Sequence, residues 1–324
     1  MRRGSALPLC GRAGLALIAL LLSRVALAES AAEWLQRAAT AAREQNYAGT
    51  LVYQSAGRLE TSRLTHMVDE KGEHEKLVSL DGPAREVVRN NEQVRSYYPD
   101  AKIIRVEPRI PRRAFPSLLP QQLETLTVYY VFRMAETARV AGVETQAVLF
   151  EPKDGMRYGH KLWADVSSGL LLKAQLLNER NIPIEQLAFT DIQIGIKIDR
   201  DAVRPTFMPP PPDWQMRESL PGDMVQKDTG WTVKKLPPGF AKVVEGFRTL
   251  RGKVGPVAHL VYSDGLVAVS VFVEPIPAVP ERIGLSQQGG INQYRRQLDD
   301  YLVTVLGETP GTTLRQIAYS VARR

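Results

Sequence analysis

The sequence predicts an α+β protein in which one large antiparallel sheet precedes a smaller second domain. Short segments with a hydrophobic period of two follow one another with only tight turns between them, which is typical of an antiparallel meander. No helix-sized interval separates these segments, so a parallel sheet of the Rossmann type is disfavoured. A run of four prolines at residues 209–212 then separates the meander from the C-terminal part of the chain.

The N-terminus has the features of a secretory signal peptide. Three arginines precede an apolar run at residues 13–22, and residues 26–28 read Ala-Leu-Ala, which suits signal-peptide cleavage. The apolar run is shorter than the roughly 20 residues that span a bilayer, although an uncleaved anchor is the alternative interpretation. We therefore expect a signal peptide over residues 1–28, cleaved after Ala28, and an exported mature chain.

The charge and cysteine content fit an exported globular protein. The net charge of +7 includes four arginines of the signal segment, and without them 38 basic residues face 35 acidic ones, a net charge of +3. This balance does not indicate a nucleic-acid partner. Cys10 is the single cysteine and lies in the signal segment, so we expect no disulfide and no thiol chemistry in the mature chain.

The first domain, residues 29–199, is expected to begin with a helix. Residues 30–33 read as a capping box, and apolar residues at helical spacing continue to about residue 45. Strands are predicted at 49–54, 63–69, 75–80, 84–89, 93–98, 101–106, 139–150, 158–165, 170–178 and 183–194. Residues 107–122 contain four prolines and are predicted as a long loop, whereas 121–134 fit either a strand or a mixed segment.

A Pro-rich linker is expected over residues 200–220, followed by a C-terminal domain over residues 221–324. The dense prolines predict a stiff, extended spacer. In the C-terminal domain, strands are predicted at 231–233, 258–262 and 266–273, with Ser-Asp-Gly at 263–265 as a hairpin turn. Residues 292–305 are predicted as a helix, and a capping box at 313–316 as the start of another.

The motifs of common enzymes are absent from the sequence. There is no Gly-x-Ser-x-Gly, and the glycines near Lys253 do not have the spacing of a phosphate-binding loop. His66 and His74 would share a metal if their strands paired, but no third ligand is apparent. The sequence therefore predicts a binding protein without catalytic activity, cofactor or metal, and a hydrolase with an unrecognised site is the least favoured hypothesis.

Four segments, in this order after a signal peptide, give the chain a recognisable pattern. They are Asn-Tyr-Ala-Gly-Thr-Leu-Val-Tyr at 46–53, Lys-Leu-Trp-Ala-Asp at 161–165 leading into Ser-Gly-Leu-Leu-Leu-Lys at 168–173, Val-Tyr-Ser-Asp-Gly-Leu-Val-Ala-Val-Ser-Val-Phe-Val at 261–273, and Thr-Leu-Arg-Gln-Ile-Ala-Tyr-Ser-Val at 313–321. Together they resemble the MucB/RseB family of periplasmic sigma-factor regulators. The Leu-Trp-x-Asp hairpin alone is less specific, because it also resembles lipoprotein carriers of the LolA type.

The resemblance implies both a fold and a function. The first domain should be LolA-like, a curved and incompletely closed antiparallel sheet with helices, and the second a small α/β domain. The protein should act in the periplasm by binding the periplasmic domain of a MucA/RseA-like membrane anti-sigma factor. It would shield that factor from regulated proteolysis until lipid or a lipopolysaccharide fragment releases it. In one lineage this circuit controls alginate production. The alternative is a periplasmic lipid or lipoprotein carrier, and a homo-oligomer is compatible with either.

The loop at residues 107–122 is the candidate lipid-binding element. Arginine binds phosphate through two parallel hydrogen bonds, and apolar residues suit acyl chains. The candidate residues are Arg109, Arg112, Arg113, Phe115, Leu118, Leu119 and, on the sheet, Trp163. Val52, Leu64, Leu77, Val87, Val148, Leu171 and Leu176 are expected to share the inner face of the sheet with Trp163. A filled core and an ordinary solvated loop are the alternatives.

The hairpin of the second domain carries the candidate partner-binding residues. Tyr262, Ser263 and Asp264 lie at the start of its turn and are expected to shape the surface that contacts the anti-sigma factor. The alternative is that the hairpin requires these residues for folding, because Gly265 suits a positive φ and the valines that follow alternate toward one buried face.

Overall fold

The observed architecture is mostly antiparallel β-structure, as the sequence predicts. The computed structural model describes residues 30–91, 93–108, 115–120, 123–218, 224–250, 252–253, 255–277 and 281–324. Residues 31–324 form one compact unit with two large sheets. No helix in these described ranges is long and apolar enough to cross a membrane. The predicted cleavage site after Ala28 lies outside the described residues.

The first sheet has twelve strands and remains open. Its strands are β1 (Tyr47–Ser55), β2 (Arg58–Asp69), β3 (Gly72–Ser79), β4 (Glu86–Arg89), β5 (Gln93–Tyr98), β6 (Ile103–Pro108), β7 (Tyr130–Val140), β8 (Val143–Pro152), β9 (Gly159–Asp165), β10 (Leu171–Leu177), β11 (Pro183–Ile194) and β12 (Gln215–Glu218). Their order is β12-β6-β5-β4-β3-β2-β1-β11-β10-β9-β8-β7. The edges β12 and β7 do not pair with each other, although β7 curls back toward β11. The predicted open, curved antiparallel sheet is therefore confirmed.

The helix α1 (Ala31–Glu44) packs its apolar stripe against the sheet. Trp34, Leu35 and Ala38 are buried in the core, as the helical spacing predicts. At one end of the helix, Gln45 donates a hydrogen bond to the carbonyl of Ser168 (2.8 Å), in the turn between β9 and β10. A short second helix, α2 (Glu124–Thr127), precedes β7 and resolves the segment that the sequence left open.

One long predicted strand is in fact a hairpin. The sequence predicted a strand over residues 139–150, but β7 ends at Val140 and β8 begins at Val143. Ala141 and Gly142 form the turn with positive φ angles of 50° and 79°. Alanine seldom adopts this conformation, so the sequence carried a weak turn signal at this position.

The second sheet belongs to the C-terminal part of the chain. Its strands are β13 (Met224–Gln226), β15 (Ala241–Thr249), β16 (Pro256–Ser263), β17 (Ala268–Pro275), β18 (Gly284–Gln288), β19 (Ile291–Leu298) and β20 (Tyr301–Gly307); β14 (Trp231–Val233) and β21 (Val321–Arg323) form a small separate pair. Helix α3 (Gly311–Ser320) packs against β19 and β20. Leu314 and Ile317 of this helix join the core of the second sheet.

The prediction of a helix over residues 292–305 is wrong. These residues form β19 and β20, joined by a turn at Asp299, whose φ is 50°. The β-branched residues Val303 and Val305 alternate into the core, which favours a strand. The predicted capping box at 313–316 lies inside α3 and not at its start, because Pro310 occupies the N-cap.

The Pro-rich segment is not a free spacer over its described part. Residues 215–218 add β12 to the first sheet, in parallel with β6. The backbone N–H of Thr206 donates to Glu86 (2.8 Å), and Phe207 stacks on Tyr97 with ring centroids 6.2 Å apart. The segment therefore follows the first sheet up to residue 218.

Candidate functional site

The described part of the candidate loop is built into the first core. Phe115 packs against Phe189 with ring centroids 5.4 Å apart, and both rings are buried. Leu119 is also buried, and Leu118 is half-buried against the same core. Arg43 of α1 holds this segment by donating to the carbonyl of Leu119 (3.4 Å). The apolar side chains proposed to meet acyl chains therefore fill the core in this conformation.

Arg109, Arg112 and Arg113, the basic members of the predicted lipid site, lie outside the described residues. Their placement relative to Phe115 and Leu119 is therefore an expectation from the sequence alone.

Trp163 does not share a face with Val148, which the sequence predicts beside it. In the pairing of β8, β9 and β10, Val148 lies opposite Leu162, and Leu162 opposite Ala174. Trp163 follows Leu162 directly, so its side chain points to the other face of the sheet. Its ring lies 5.1 Å from the ammonium nitrogen of Lys161 and 4.5 Å from that of Lys173.

The same register places Val52 on the face of Trp163. Val52 pairs with Ala188 and Ala188 with Lys173, which lies opposite Trp163. The prediction that Val52 and Trp163 line the inner face together with Val148 is therefore wrong. Trp163 is 4% exposed and belongs to the same hydrophobic core as Phe115, but it lies on the opposite strand face from Val148.

Of the three predicted partner-binding residues, Asp264 lies at a junction between the two sheets, whereas Tyr262 and Ser263 belong to the second domain alone. Tyr262 is 3% exposed and packs in the second core. Ser263 Oγ donates to the carbonyl of Val267 (2.8 Å), which closes the hairpin turn. One oxygen of Asp264 accepts the N–H groups of Leu266 and Val267, both at 2.9 Å. These contacts support the folding interpretation of the hairpin.

The other carboxylate oxygen of Asp264 binds Arg157, which reaches it from the first sheet. The separation is 2.6 Å, and both side chains have no solvent exposure. Arg157 also donates to both oxygens of Asp154, each at 3.1 Å, and to the carbonyl of Pro238 at 2.7 Å. Burial alone would lower the pKa of the Arg157 guanidinium. The hydrogen bonds to Asp154 and the charge of Asp264 outweigh burial and raise this pKa overall.

Aromatic rings enclose this buried guanidinium. Its central carbon lies 4.8 Å from the ring centroid of Tyr129, 5.4 Å from that of Phe240 and 5.7 Å from that of Tyr130. Gly239, with a φ of +82°, passes so close that a Cβ there would lie 2.3 Å from the Tyr129 ring. Asp264 therefore serves the junction and not an accessible partner-binding surface, because the buried arginine requires its charge.

Two further hydrogen bonds extend the junction. Asn292 donates to the hydroxyl of Tyr158 (2.7 Å), and Thr313 donates to the carbonyl of Met156 (2.9 Å). We call the contact region around Arg157, Asp264, Tyr158 and Asn292 the domain junction. Arg157 was not among the residues predicted from the sequence, in which its only local signal is Asp154 three positions before it.

A pair of carboxyl groups also meets at the domain junction. The turn before β19 brings Gly290 onto β10 and β11, where a Cβ would lie 2.8 Å from a Glu185 oxygen and 2.9 Å from Leu176. Burial, and then the charge of Glu185, raise the pKa of Glu308 to about 7. Burial also raises the pKa of Glu185, against a hydrogen bond from Tyr53 that lowers it.

No metal centre is apparent in the described ranges, where no group of three or more His, Cys, Asp or Glu side chains could hold an ion. His66 lies opposite Glu75 in the pairing of β2 with β3, and His74 lies opposite Met67. Because neighbouring residues of a strand alternate, the two histidines point to opposite faces. The hypothesis that they share a metal is therefore wrong.

Comparison with known families accounts for both sheets. Models of the MucB/RseB N-terminal domain and the MucB/RseB C-terminal domain match residues 30–207 and 225–322. The chain belongs to the MucB/RseB family. Two curated members are the sigma factor AlgU regulatory protein MucB of Pseudomonas aeruginosa, 32% identical over 91% of both chains, and the sigma-E factor regulatory protein RseB of Escherichia coli K12, 26% identical over 89% of both.

Solved structures of the MucB/RseB family share this fold. A crystal structure of MucB in complex with MucA(peri) matches with a TM-score of 0.72 and 30% identity, covering 91% of this chain and 99% of that one. A crystal structure of MucB matches with a TM-score of 0.64 and 29% identity, covering 91% of this chain and 98% of that one.

Proposed function

We propose that this protein is a negative regulator of an extracytoplasmic sigma factor that acts by binding the periplasmic domain of a membrane anti-sigma factor. The observation that carries the proposal is the match of 91% of the chain, across both sheets, to MucB in complex with MucA(peri). The bound anti-sigma factor would be protected from regulated proteolysis, so the sigma factor would remain inactive. No catalytic step is needed for this function.

The proposed compartment is the periplasm. The chain would be exported by the signal peptide at residues 1–28 and released by cleavage after Ala28. The proposed partner would be anchored in the inner membrane and would present its periplasmic domain to the mature protein.

The domain junction supports a mechanism in which the partner recognises the arrangement of the two sheets. Arg157 and Asp264 fix this arrangement through a solvent-excluded ion pair. A partner that contacts both sheets would bind tightly only while their arrangement is maintained. A second ligand releases the partner only if it prefers a different arrangement, because equal affinity for both shifts no equilibrium.

The proposed releasing ligand is a phosphorylated lipid such as a lipopolysaccharide fragment. Phe115 and Leu119 of the loop occupy apolar space in the first core, and an acyl chain entering that space would displace them. Arg109, Arg112 and Arg113 of the same loop would then donate to the phosphate. Trp163 is a weaker candidate for this site, because it lies on the opposite face under two lysines.

Calorimetry tests the proposal. Mature protein, residues 29–324, is titrated with the purified periplasmic domain of the anti-sigma factor of the same organism, with and without a phosphorylated lipid. We expect tight binding that weakens when lipid is present. Binding that lipid leaves unchanged would contradict the release mechanism. Absence of binding, together with lipid transfer between vesicles, would move the function to lipid or lipoprotein carriage.

A further inference from the structure

The outer face of α3 is exposed, although its inner face is a tightly packed part of the second core. Thr313, Leu314, Ile317 and Ala318 are buried. The outward positions follow the helical spacing of i, i+3, i+4 and i+7, and they surround a shallow depression of about 420 Å³. These positions are Thr312, Arg315, Gln316 and Tyr319.

Tyr319 stands at the centre of this face between two arginines. It is 59% exposed, which is unusual for an aromatic ring that core packing does not require. The guanidinium carbon of Arg296 lies 4.9 Å from its ring centroid, and that of Arg315 lies 5.8 Å from it. Arg296 is also held by a hydrogen bond from its Nε to the carbonyl of Ala318 (2.8 Å). The arrangement is thus ordered before any partner arrives.

The exposed surface continues from α3 onto the adjacent strands. The ring of Tyr294 on β19 lies 6.1 Å from that of Tyr319, and Leu285 on β18 lies opposite Tyr294 in the strand register. Leu285 is 50% exposed. We call Leu285, Tyr294, Arg296, Arg315 and Tyr319 together the α3 surface.

The α3 surface carries positive charge that the fold does not neutralise. Within the part of the chain that the structure describes, Arg296 and Arg315 form no ion pair with a carboxylate. The neighbouring Arg295 differs, because its Nε lies 3.2 Å from a carboxylate oxygen of Glu281. Two cations, two tyrosines and an exposed leucine thus share one surface without an acidic group among them.

This composition is typical of the energetic centre of a protein interface. Tyrosine and arginine are enriched among residues that dominate binding energy, and long charged side chains that are already ordered lose less entropy on binding. Arginine also forms paired hydrogen bonds with carboxylates more readily than lysine does. The complementary ligand is therefore a polypeptide with carboxylates beside apolar side chains.

We propose that the α3 surface binds an acidic, apolar segment of the periplasmic domain of the anti-sigma factor. This inference rests on the proposed function, which identifies that domain as the partner. Carboxylates of the segment pair with Arg296 and Arg315, and an apolar side chain lies against Tyr319 and Leu285. The contact is separate from the domain junction, whose Arg157 and Asp264 are buried.

Charge reversal and truncation on the exposed side of α3 test this inference. The affinity of mature protein for the purified periplasmic domain is measured for wild type, Arg315→Glu, Arg315→Lys and Tyr319→Ala. Arg180→Glu, an equal charge change at an exposed residue of the turn between β10 and β11, is the matched control. Far-UV circular dichroism and Tm verify that each variant is folded, which we expect because Arg315 and Tyr319 are exposed.

The expected result is a Kd raised at least about 10-fold by Arg315→Glu and by Tyr319→Ala. Arg180→Glu should raise it by less than about 3-fold. Arg315→Lys should lie between the two, because it keeps the charge but loses the paired hydrogen bonds. Wild-type affinity should fall between about 50 and 300 mM salt, and Arg315→Glu should show a weaker dependence.

Each other outcome is decisive. If wild type binds and the α3 variants bind equally well, the surface assignment is overturned while the proposed function stands. If wild type does not bind, both are overturned. If Tyr319→Ala converts a dimer into a monomer in sedimentation and leaves partner affinity unchanged, the surface joins two copies of this chain and the inference is wrong.

Discussion

Arg157 connects the two sheets at the domain junction. Its guanidinium binds Asp154, Asp264 and the carbonyl of Pro238, and none of its side chain is exposed. A buried ion pair costs desolvation energy, so its presence does not by itself make a protein stable. Removing one partner is nevertheless costly, because the other charge is then buried without compensation.

We predict that Arg157→Leu lowers the free energy of unfolding by about 3–5 kcal/mol, since it strands the Asp264 carboxylate. Urea denaturation measures the change. The matched control is Arg133→Leu, whose partner Glu151 is equally close at 2.5 Å but whose side chain is 62% exposed. Arg133→Leu should lower the free energy of unfolding by about 1 kcal/mol or less. Similar losses in the two variants would show that the junction pair is not solvent-excluded.

At the scale of secondary-structure elements, residues 115–120 behave as part of the core and not as a solvated loop. Phe115 and Leu119 are buried, and Arg43 of α1 donates to the segment backbone. Their burial accounts for the apolar residues within this Pro-rich connection. Whatever enters this part of the first domain must first remove these side chains.

Leu119→Ala should therefore destabilise the protein by about 2–5 kcal/mol, as expected for a buried leucine that leaves a cavity. Leu118→Ala, at the half-buried neighbouring position, is the control and should cost about 1 kcal/mol. Thermal and urea unfolding of both variants measure the difference. A loss below about 0.5 kcal/mol for Leu119→Ala would mean that the segment is detached from the core in solution.

At the scale of the whole molecule, the two sheets meet at carboxyl groups as well as at Arg157. Among the described residues, Glu185 is the one charged group that affects the pKa of Glu308, and no cation compensates the pair. The raised pKa of Glu308, about 7 against the usual 4.5, means that the folded protein retains a proton that the unfolded chain releases. Folded stability from this group therefore falls as pH rises from about 4.5 to 7.

We predict that Glu308→Gln removes this dependence. The variant should gain on the order of 3 kcal/mol relative to wild type between pH 4.5 and 7, and keep the gain at higher pH. The difference in free energy of unfolding between the two proteins isolates the effect of Glu308. His160 and His259 are present in both proteins, and they change stability with pH in the opposite direction. Burial lowers the pKa of each histidine to about 4, so the contribution of the histidines to folded stability rises with pH over part of the same range.

Urea unfolding of wild type and Glu308→Gln at several pH values between about 5 and 8 measures this effect. Glu151→Gln, which removes a charge at a partly exposed residue of the first sheet, serves as the control. A constant difference between wild type and Glu308→Gln across this range would contradict burial of the pair at the junction.

Local pattern in the sequence determined most of the secondary structure. The stripe of Trp34, Leu35 and Ala38 identified α1, and alternation with tight turns identified the open antiparallel sheet. The hydrophobic pattern gave the wrong secondary structure where both the helical period and the strand period fit the same residues. Tyr294, Leu298, Tyr301 and Val305 have helical spacing, yet the hairpin of β19 and β20 buries alternate valines beside β17, and pairing in the sheet decides between the two.

Only the tertiary structure decided which side chains face each other. The sequence marked Trp163, Tyr262 and Asp264 as special, but strand register placed Trp163 on the face opposite Val148, and docking of the sheets buried Asp264 against Arg157. Arg157 is separated from Asp264 by 107 residues. Local sequence carries periodicity and turn chemistry, whereas such long-range pairing depends on how complete sheets pack, so the junction became visible only in the folded molecule.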